Sequence, residues 1–191
     1  IMLPHPILTD QQLRLIQGLD DERFKSATIS ILYRVDGGGR ALQNSLERIF
    51  READRVIAEG ANIVILSDRG INEEMAAIPA LLASAGLHHH LTRQEIRTNV
   101  GIVLESGEPR EVHHFCTLVG YGVTAVNPYL ALAVVDRMAG QGWLAGLNRA
   151  EARSHYIEAC VKGMLKVLTK MGISTMRSYH GAQIFEDIGL S

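Results

Sequence analysis

Ala61-Asn-Ile-Val-Ile-Leu-Ser67 is the stretch that decides the fold class of this chain. Ile63 to Leu66 form an apolar run without a break, which is typical of a strand covered on both faces of a parallel sheet. Val100-Gly-Ile-Val-Leu-Glu105 has the same character. Between them, Ile78, Leu81, Leu82 and Ala85 predict a helix over residues 78–93. A strand, a helix and a second strand in this order predict a right-handed parallel βαβ unit.

The alternation continues on the N-terminal side of this unit. Ala27-Thr-Ile-Ser-Ile-Leu-Tyr-Arg-Val35 is rich in β-branched residues and predicts one further strand, and Gly37–Gly39 predict a loop after it. A helix is then predicted over residues 40–59, ending at Gly60. The reason is that the apolar residues Leu42, Leu46, Ile49, Ala53 and Val56 would share one face of such a helix. Residues 1–26 form a lead-in with a short helix over Leu13–Leu19, after a cap at Thr9 and Asp10.

The C-terminal side predicts two more units. The elements are a helix over residues 110–119, a strand over Thr124–Asn127, a helix over Leu130–Met138, a long helix opened by an Asn148/Glu151 capping box, a strand over Ile173–Met176 and a helix over Gln183–Ile188. Residues 27–191 therefore predict an α/β fold, with a mainly parallel sheet of about five βα units. A closed eight-stranded barrel typically takes about 250 residues. We expect a single domain, residues 1–191, that resembles part of a barrel and does not close.

Composition narrows the classes of function. Among 191 residues, 47% are hydrophobic, which is enough for a core, and no apolar run approaches the roughly 20 residues of a membrane span. The 19 basic residues are balanced by 21 acidic ones, so the basic face of a nucleic-acid-binding protein is not expected. Cys116 and Cys160 are too few for a four-cysteine cluster, and we predict buried, reduced thiols in a cytosolic protein.

Three short motifs suggest a ligand site, and their spacing argues against each. His88-His-His90 lies in a helical pattern, where neighbours diverge by about 100°, so we expect one histidine packed inside and one or two solvated. Glu111 and His114 share a helix face, but a di-metal bundle needs further copies, and Pro109 at the first helical position fits an ordinary helix start. Gly120-Tyr-Gly122-Val-Thr-Ala125 runs from helix to strand, the reverse of a dinucleotide-binding turn.

Polar residues at two strand ends are the strongest candidates for a site. Ser67-Asp68-Arg69-Gly70 follows one buried strand and Asn127-Pro128-Tyr129 follows another. The carboxyl ends of parallel strands are where α/β proteins place ligands. The alternative is an internal pair of Asp68 and Arg69 that fixes the loop and caps the next helix. No nucleophile–base order is visible, so we predict no catalytic residue and no metal ligand.

Longer motifs carry a resemblance that spans nearly the whole chain. They are Ile65-Leu-Ser-Asp-Arg-Gly70, Ile78-Pro-Ala-Leu-Leu-Ala83, His88-His-His-Leu91, Glu105 to Gly122, Ala125 to Ala131, Lys162 to Thr175 and Ser178 to Leu190. In these motifs the chain resembles the central domain of the glutamate synthase large subunit. His180, where an arginine usually follows the tyrosine, and Cys116, commonly alanine, depart from the family pattern.

The resemblance implies a part of a larger enzyme, which makes two glutamates from glutamine, 2-oxoglutarate and reductant. It implies a domain that links an amidotransferase to an FMN barrel and contributes walls to an ammonia tunnel. FMN and an iron–sulfur cluster are expected in other domains and no cofactor in this chain, which we expect to be inactive alone. The expected location is the cytoplasm, or a plastid for a plant or algal parent. Candidate interdomain or tunnel residues are Asp68, Arg69, Glu105, Glu111, His113, His114, Asn127 and Tyr129.

Two other functions remain open at the level of sequence. One is a free-standing metal-dependent hydrolase or lyase that uses Asp68 with Glu111, His113 or His114. The other is a binding module for an anionic metabolite, built from Asp68–Arg69 and Arg177–His180. Neither the electron donor of the parent, ferredoxin or a nicotinamide nucleotide, nor the oligomeric state can be inferred from this segment.

Overall fold

Residues 3–21 and 23–185 are described by a computed structural model, in which strands and helices alternate. The strands are β1 (Ser26–Ser30), β2 (Leu32–Arg34), β3 (Ile63–Ser67), β4 (Met75–Ala77), β5 (Gly101–Glu105) and β6 (Ala125–Asn127). The helices are α1 (Asp10–Gln17), α2 (Gly38–Ala58), α3 (Ala80–Arg93), α4 (Val112–Gly120), α5 (Tyr129–Gly140), α6 (Arg149–Lys170) and α7 (Met176–Tyr179), with short 3₁₀ helices at Val35–Gly37 and Arg97–Asn99.

The main sheet has four strands in the order β1-β3-β5-β6, and every neighbouring pair is parallel. Its register aligns the last residues of the strands in one row, Ser30, Ser67, Glu105 and Asn127. A second sheet pairs β2 with β4 antiparallel. The predicted fold class is confirmed: the architecture is α/β with an open parallel sheet, although the described residues form four parallel strands where about five βα units were expected.

Each face of the main sheet packs against a different layer. Val64, Leu66 and Ile102 point into the larger core, which the helices that follow the strands complete. Ile65 and Val103 point to the opposite face, where they pack with Leu8, Leu13, Ile16 and Ala125. The lead-in therefore covers the face that a closed barrel would turn towards its interior, and an Ile7–Val126 bridge attaches it beside β6.

The predicted strand Ala27–Val35 is wrong in one respect, because it divides between the two sheets. The Ile31 N–H donates to the Ser67 carbonyl and continues the main sheet, whereas the Ile31 carbonyl accepts from the Ile78 N–H. β2 then pairs with β4, a strand that the sequence pattern did not predict. Gly38 and Gly39 also differ from the expected loop, since they form the first residues of α2.

Near the C-terminus, no strand forms over Ile173–Met176. Gly172 adopts a φ of 70° after α6, and the Ile173 N–H turns back to the Leu168 carbonyl, so helix termination uses the backbone that a strand would need. α7 follows, with the Thr175 hydroxyl accepting from the Ser178 N–H. Of the predicted last helix, residues 183–185 are not helical and residues 186–188 lie outside the described part of the chain.

The N-termini of the helices agree with the predicted caps in two cases and differ in one. Thr9 and Gln12 form a capping box at α1, and Asn148 and Glu151 form another at α6. α4 begins later than expected, with Glu111 as its N-cap, so Pro109 is not its first residue. Among the described helices, none has the length and apolar character needed to cross a membrane.

Close contact between α4 and α6 depends on Gly163. A Cβ atom built at Gly163 would overlap the Val112 side chain, with Val112 Cγ1 at 2.9 Å. Gly163 is therefore the residue that allows Val112 to enter the helix–helix interface.

We expect Gly163→Ala to lower the free energy of unfolding by about 1–3 kcal/mol, because overpacking outweighs the gain in helix propensity. Gly39→Ala is the matched control: it also lies in a helix, but nothing lies within 4 Å of its added Cβ. That control should be neutral or stabilising by up to about 1 kcal/mol in urea unfolding. Val112→Ala in the Gly163→Ala background should recover part of the loss, and an additive double mutant would contradict the contact.

Candidate functional site

A layer of polar side chains lies at the carboxyl edge of the main sheet. Ser67, Glu105 and Asn127 occupy one row of the register. Because side chains alternate along a strand, they share the face of Ile65, Val103 and Ala125, two residues earlier. All three polar residues are buried. The apolar inner face therefore ends in a polar rim.

Glu105 is the centre of this rim. Its carboxylate accepts hydrogen bonds from Ser67 Oγ at 2.7 Å and from Arg69 Nε at 2.8 Å. The Arg69 guanidinium carbon lies 3.6 Å from the centroid of the Tyr129 ring, within the range of a cation–π contact. Glu105 is only 7% exposed, whereas the Arg69 side chain is 51% exposed. The pair therefore joins a buried carboxylate to the protein surface.

Asp68 forms a second buried carboxylate beside the first. Its Oδ2 accepts from Ser106 Oγ at 2.7 Å and from the Gly107 N–H at 2.9 Å, and the residue is 1% exposed. Asp68 Oδ1 has no hydrogen-bond partner among the described residues. Burial, and then the nearby Asp68 carboxylate, raise the pKa of Tyr129 to about 12, so this phenol remains protonated at neutral pH.

Asn127 attaches the lead-in to the rim. Its Nδ2 donates to the Leu8 carbonyl at 3.0 Å and to Asp10 Oδ1 at 2.9 Å, across more than 100 residues of sequence. Asn127 is fully buried, and its Oδ1 is without a partner in the part of the chain that the structure describes. This side chain therefore holds the start of α1 at the end of β6.

The rim brings together Asp68, Arg69, Glu105, Asn127 and Tyr129, five of the residues singled out in the sequence. The internal contact is between Arg69 and Glu105, so the expected pairing of Asp68 with Arg69 does not form. Two carboxylates against one guanidinium leave one negative charge in excess. The hydroxyls of Ser67 and Ser106 donate to the two carboxylates, so these contacts join the ends of β3 and β5.

Glu111, His113 and His114 lie apart from these five residues, exposed at the start of α4. Glu111 accepts from the His113 N–H, and the His114 Nδ1 accepts from the Arg110 N–H. His113 and His114 line an open groove of about 490 Å³ beside Leu81 and Leu118. Within residues 3–21 and 23–185, no group of three His, Cys, Asp or Glu side chains could hold a metal ion.

Sequence reasoning missed the residues that follow β5. Ser106 and Gly107 hold Asp68, and both oxygens of Glu108 accept from the Ala80 N–H at 3.1 Å. Glu108 therefore caps α3, which has no side-chain cap of its own. Their position directly after a buried strand was the available signal, as it was for Asp68.

The histidine triplet divides among three environments. His88 is partly buried and its Nδ1 accepts from Arg97 Nε at 2.9 Å; burial, then the Arg97 charge, lower its pKa to about 4. His89 is exposed. His90 bonds Asp54 at 2.8 Å and stacks on Phe50, with ring centroids 4.9 Å apart. Two of the three histidines thus pack against the protein, where one was expected.

Comparison with known proteins identifies close relatives along the entire chain. The model of the glutamate synthase central domain family matches residues 1–191. The glutamate synthase (NADPH) large chain of Bacillus subtilis is 43% identical over 191 residues, covering 100% of this chain and 12% of the relative. The ferredoxin-dependent glutamate synthase of Pyropia yezoensis is 34% identical over 201 residues, covering 100% of this chain and 13% of the relative.

Solved structures share the fold at low sequence identity. A flavocytochrome b2 mutant with benzoylformate matches 74% of this chain and 36% of its own, with a TM-score of 0.54 and 12% identity. Another flavocytochrome b2 mutant matches 96% and 46%, with a TM-score of 0.53 and 13% identity. In both cases less than half of the neighbour's chain corresponds to this chain.

Removing the Asp68 carboxylate should destabilise the rim. In Asp68→Ala, Ser106 Oγ and the Gly107 N–H lose their acceptor, and we expect the free energy of unfolding to fall by about 1–3 kcal/mol. Asp68→Asn keeps one acceptor oxygen, so its free energy of unfolding should fall by less than that of Asp68→Ala. Asp36→Ala, at an exposed carboxylate paired with exposed Arg34, is the control, and its free energy of unfolding should change little. Equal losses at the two positions would contradict a buried structural role.

His88 should make the fold sensitive to mild acid. Since its folded pKa lies near 4, below the ordinary 6.5, the unfolded chain takes up a proton in that window and the folded chain does not. The free energy of unfolding should therefore fall as pH drops from about 6.5 towards 4. Urea unfolding at several pH values should show a shallower slope for His88→Asn, whose amide oxygen can still accept from Arg97. His89→Asn, one residue away and exposed, should keep the original slope.

Proposed function

Because the chain belongs to the glutamate synthase central domain family, we propose that it acts as the central domain of a glutamate synthase large chain. The observation that supports this most strongly is coverage: the family match spans residues 1–191, whereas the chain spans only 9–13% of its first relatives. In this proposal the parent converts glutamine, 2-oxoglutarate and reductant into two glutamates. This domain links the amidotransferase and FMN domains and helps to enclose the path of ammonia.

The polar rim is the surface that we assign to interdomain contact. Arg69 reaches the surface from a buried carboxylate and lies against Tyr129, so its orientation is fixed before any partner arrives. Leu130, next along the chain, exposes 49% of its surface, and Val134 one turn later exposes 48%. A charged residue held in place beside an apolar patch is typical of a protein interface.

The groove at the start of α4 is a second candidate contact. His113 and His114 are exposed and line this groove with Leu81 and Leu118, and Glu111 is exposed just before them. We assign these three residues to the same linking role. No geometry favours a metal-dependent hydrolase, since Asp68 is buried in the rim while the α4 residues are exposed elsewhere.

The polar rim and the two cysteines of this chain do not fit the cofactors that the parent would carry. The carboxylates of Asp68 and Glu105 leave the rim with a negative charge that disfavours the phosphate of FMN. Cys116 and Cys160 are buried in the apolar core, and burial raises the pKa of both thiols, which disfavours metal binding. We therefore assign FMN and the iron–sulfur cluster to other domains of the parent.

The electron donor and the compartment follow from the parent rather than from this segment. Relatives include enzymes named for NADPH, for NADH and for ferredoxin, and all align over the full length of this chain. We propose a cytoplasmic parent, or a plastid one in a plant or alga, as for the chloroplastic relative of Arabidopsis thaliana.

Substitution in the rim should uncouple the two halves of the proposed reaction. In a parent enzyme carrying this domain, we expect Arg69→Gln to lower glutamine-dependent glutamate synthesis several-fold while synthesis from added ammonia changes little. The physical reason is that the rim orients one domain against the next and takes no part in bond-making. The measurement is the ratio of the two rates, together with free ammonia released from glutamine.

Arg51→Gln is the matched control, because Arg51 is 73% exposed on α2 and loses the same charge away from the rim. An unchanged ratio in Arg69→Gln would remove the rim from the contact surface. Hydrolysis of glutamine, or glutamate synthesis, by residues 1–191 alone would overturn the proposed linking function itself.

A further inference from the structure

Arg97 carries a positive charge that is not matched by a carboxylate within residues 3–21 and 23–185. Its Nε donates to His88 Nδ1, its Nη1 to the Val100 carbonyl and its Nη2 to the Gly122 carbonyl. All three acceptors are neutral, because His88 has a pKa near 4. Burial lowers the pKa of Arg97, but a guanidinium stays protonated in proteins. The charge is therefore held in place and left without a counter-ion among these residues.

The guanidinium has hydrogen-bonding capacity to spare. An arginine side chain offers five N–H donors in a planar fork, and the three bonds use three of them. Two N–H groups remain. Because His88 and two carbonyls already fix the plane of the group, little side-chain entropy is lost when a ligand binds to it.

A cleft of about 640 Å³ lies in front of this arginine, at the amino end of the sheet. Gly101 at the start of β5 and Thr124 just before β6 form part of its wall, and Thr98 also lines it; both threonines are exposed. His180 also lines it, with a buried Nε2 that has no hydrogen-bond partner in the described part of the chain. When His180 Nε2 carries the ring proton, its N–H can donate a hydrogen bond to an anion in the cleft.

We propose that this cleft binds a small oxyanion, a carboxylate or a phosphate, through Arg97 and His180. The planar fork of arginine matches both groups, which accept two parallel hydrogen bonds. The site lies at the opposite end of the sheet from the polar rim and takes no part in the linking role proposed above. Burial and then the Arg97 charge lower the pKa of His180. The negative charge of a bound anion would raise this pKa again.

Titration of the folded chain with glutarate and with inorganic phosphate tests this site, at an ionic strength held constant with sodium chloride. Amide chemical shifts should change saturably at Thr98, Gly101 and Thr124, and chloride alone should not reproduce the change. At ten times the dissociation constant, the midpoint of thermal unfolding should rise by about 3–6 °C. The two probes separate a carboxylate ligand from a phosphate ligand, and saturable binding of either one supports the proposal.

Arg97→Gln should weaken binding about tenfold or more, since a charged hydrogen-bonding partner is lost. Arg40→Gln is the matched control: it removes the same charge from the exposed start of α2, and binding should not change. If the Arg97 variant fails to fold, the shift map of the unsubstituted chain still decides. No saturable shift, shifts confined to other surfaces, or equal affinity in a folded Arg97→Gln variant would overturn the proposal.

Discussion

An open parallel sheet must be covered on both faces, and the rest of this structure depends on how that is achieved. Helices cover one face, as in any βα repeat. The other face would be the interior of a closed barrel, and here Leu8, Leu13 and Ile16 of the lead-in cover it by packing on Ile65 and Val103. α1 therefore takes the place of the strands that would close the barrel. This explains how four parallel strands remain stable without closure.

The polar rim is a consequence of the same arrangement. The inner row of Ile65, Val103 and Ala125 is followed two residues later by Ser67, Glu105 and Asn127, where the packing of α1 ends. Buried polar groups at this boundary need partners. Asn127 finds them in Leu8 and Asp10 of the lead-in, and Glu105 finds them in Ser67 and Arg69. The segment that fills the inner face thus also fixes one side of the rim.

The sequence pattern predicted those strands and helices that are determined by residues close together in the chain. Continuous apolar runs identified β3 and β5, and a single stripe identified α2. The strand-end argument singled out Asp68, Arg69, Asn127 and Tyr129, whereas Glu105 became a candidate through the family resemblance. Strand pairing was harder to predict from the sequence. Met75–Ala77 has no alternation of polar and apolar residues, and it forms a strand only because β2 lies beside it. Ile173 has high β propensity, but termination of α6 uses its N–H. Arg97 and His88 meet because α3 turns back towards β5, which no motif in the sequence signals.

The two ends of the sheet differ in the sign of their uncompensated charge. At the carboxyl end, Asp68 and Glu105 outnumber Arg69; at the amino end, Arg97 has only neutral partners among the residues described. At each end, hydrogen bonds to backbone and side-chain groups hold the charged side chains in place. Some donors or acceptors of these side chains have no partner among the described residues. Filling the inner face removes the central mouth at which a barrel enzyme binds its substrate. The two surfaces that we propose for recognition are the rim at one end and the cleft at the other, and their opposite charges would favour different partners.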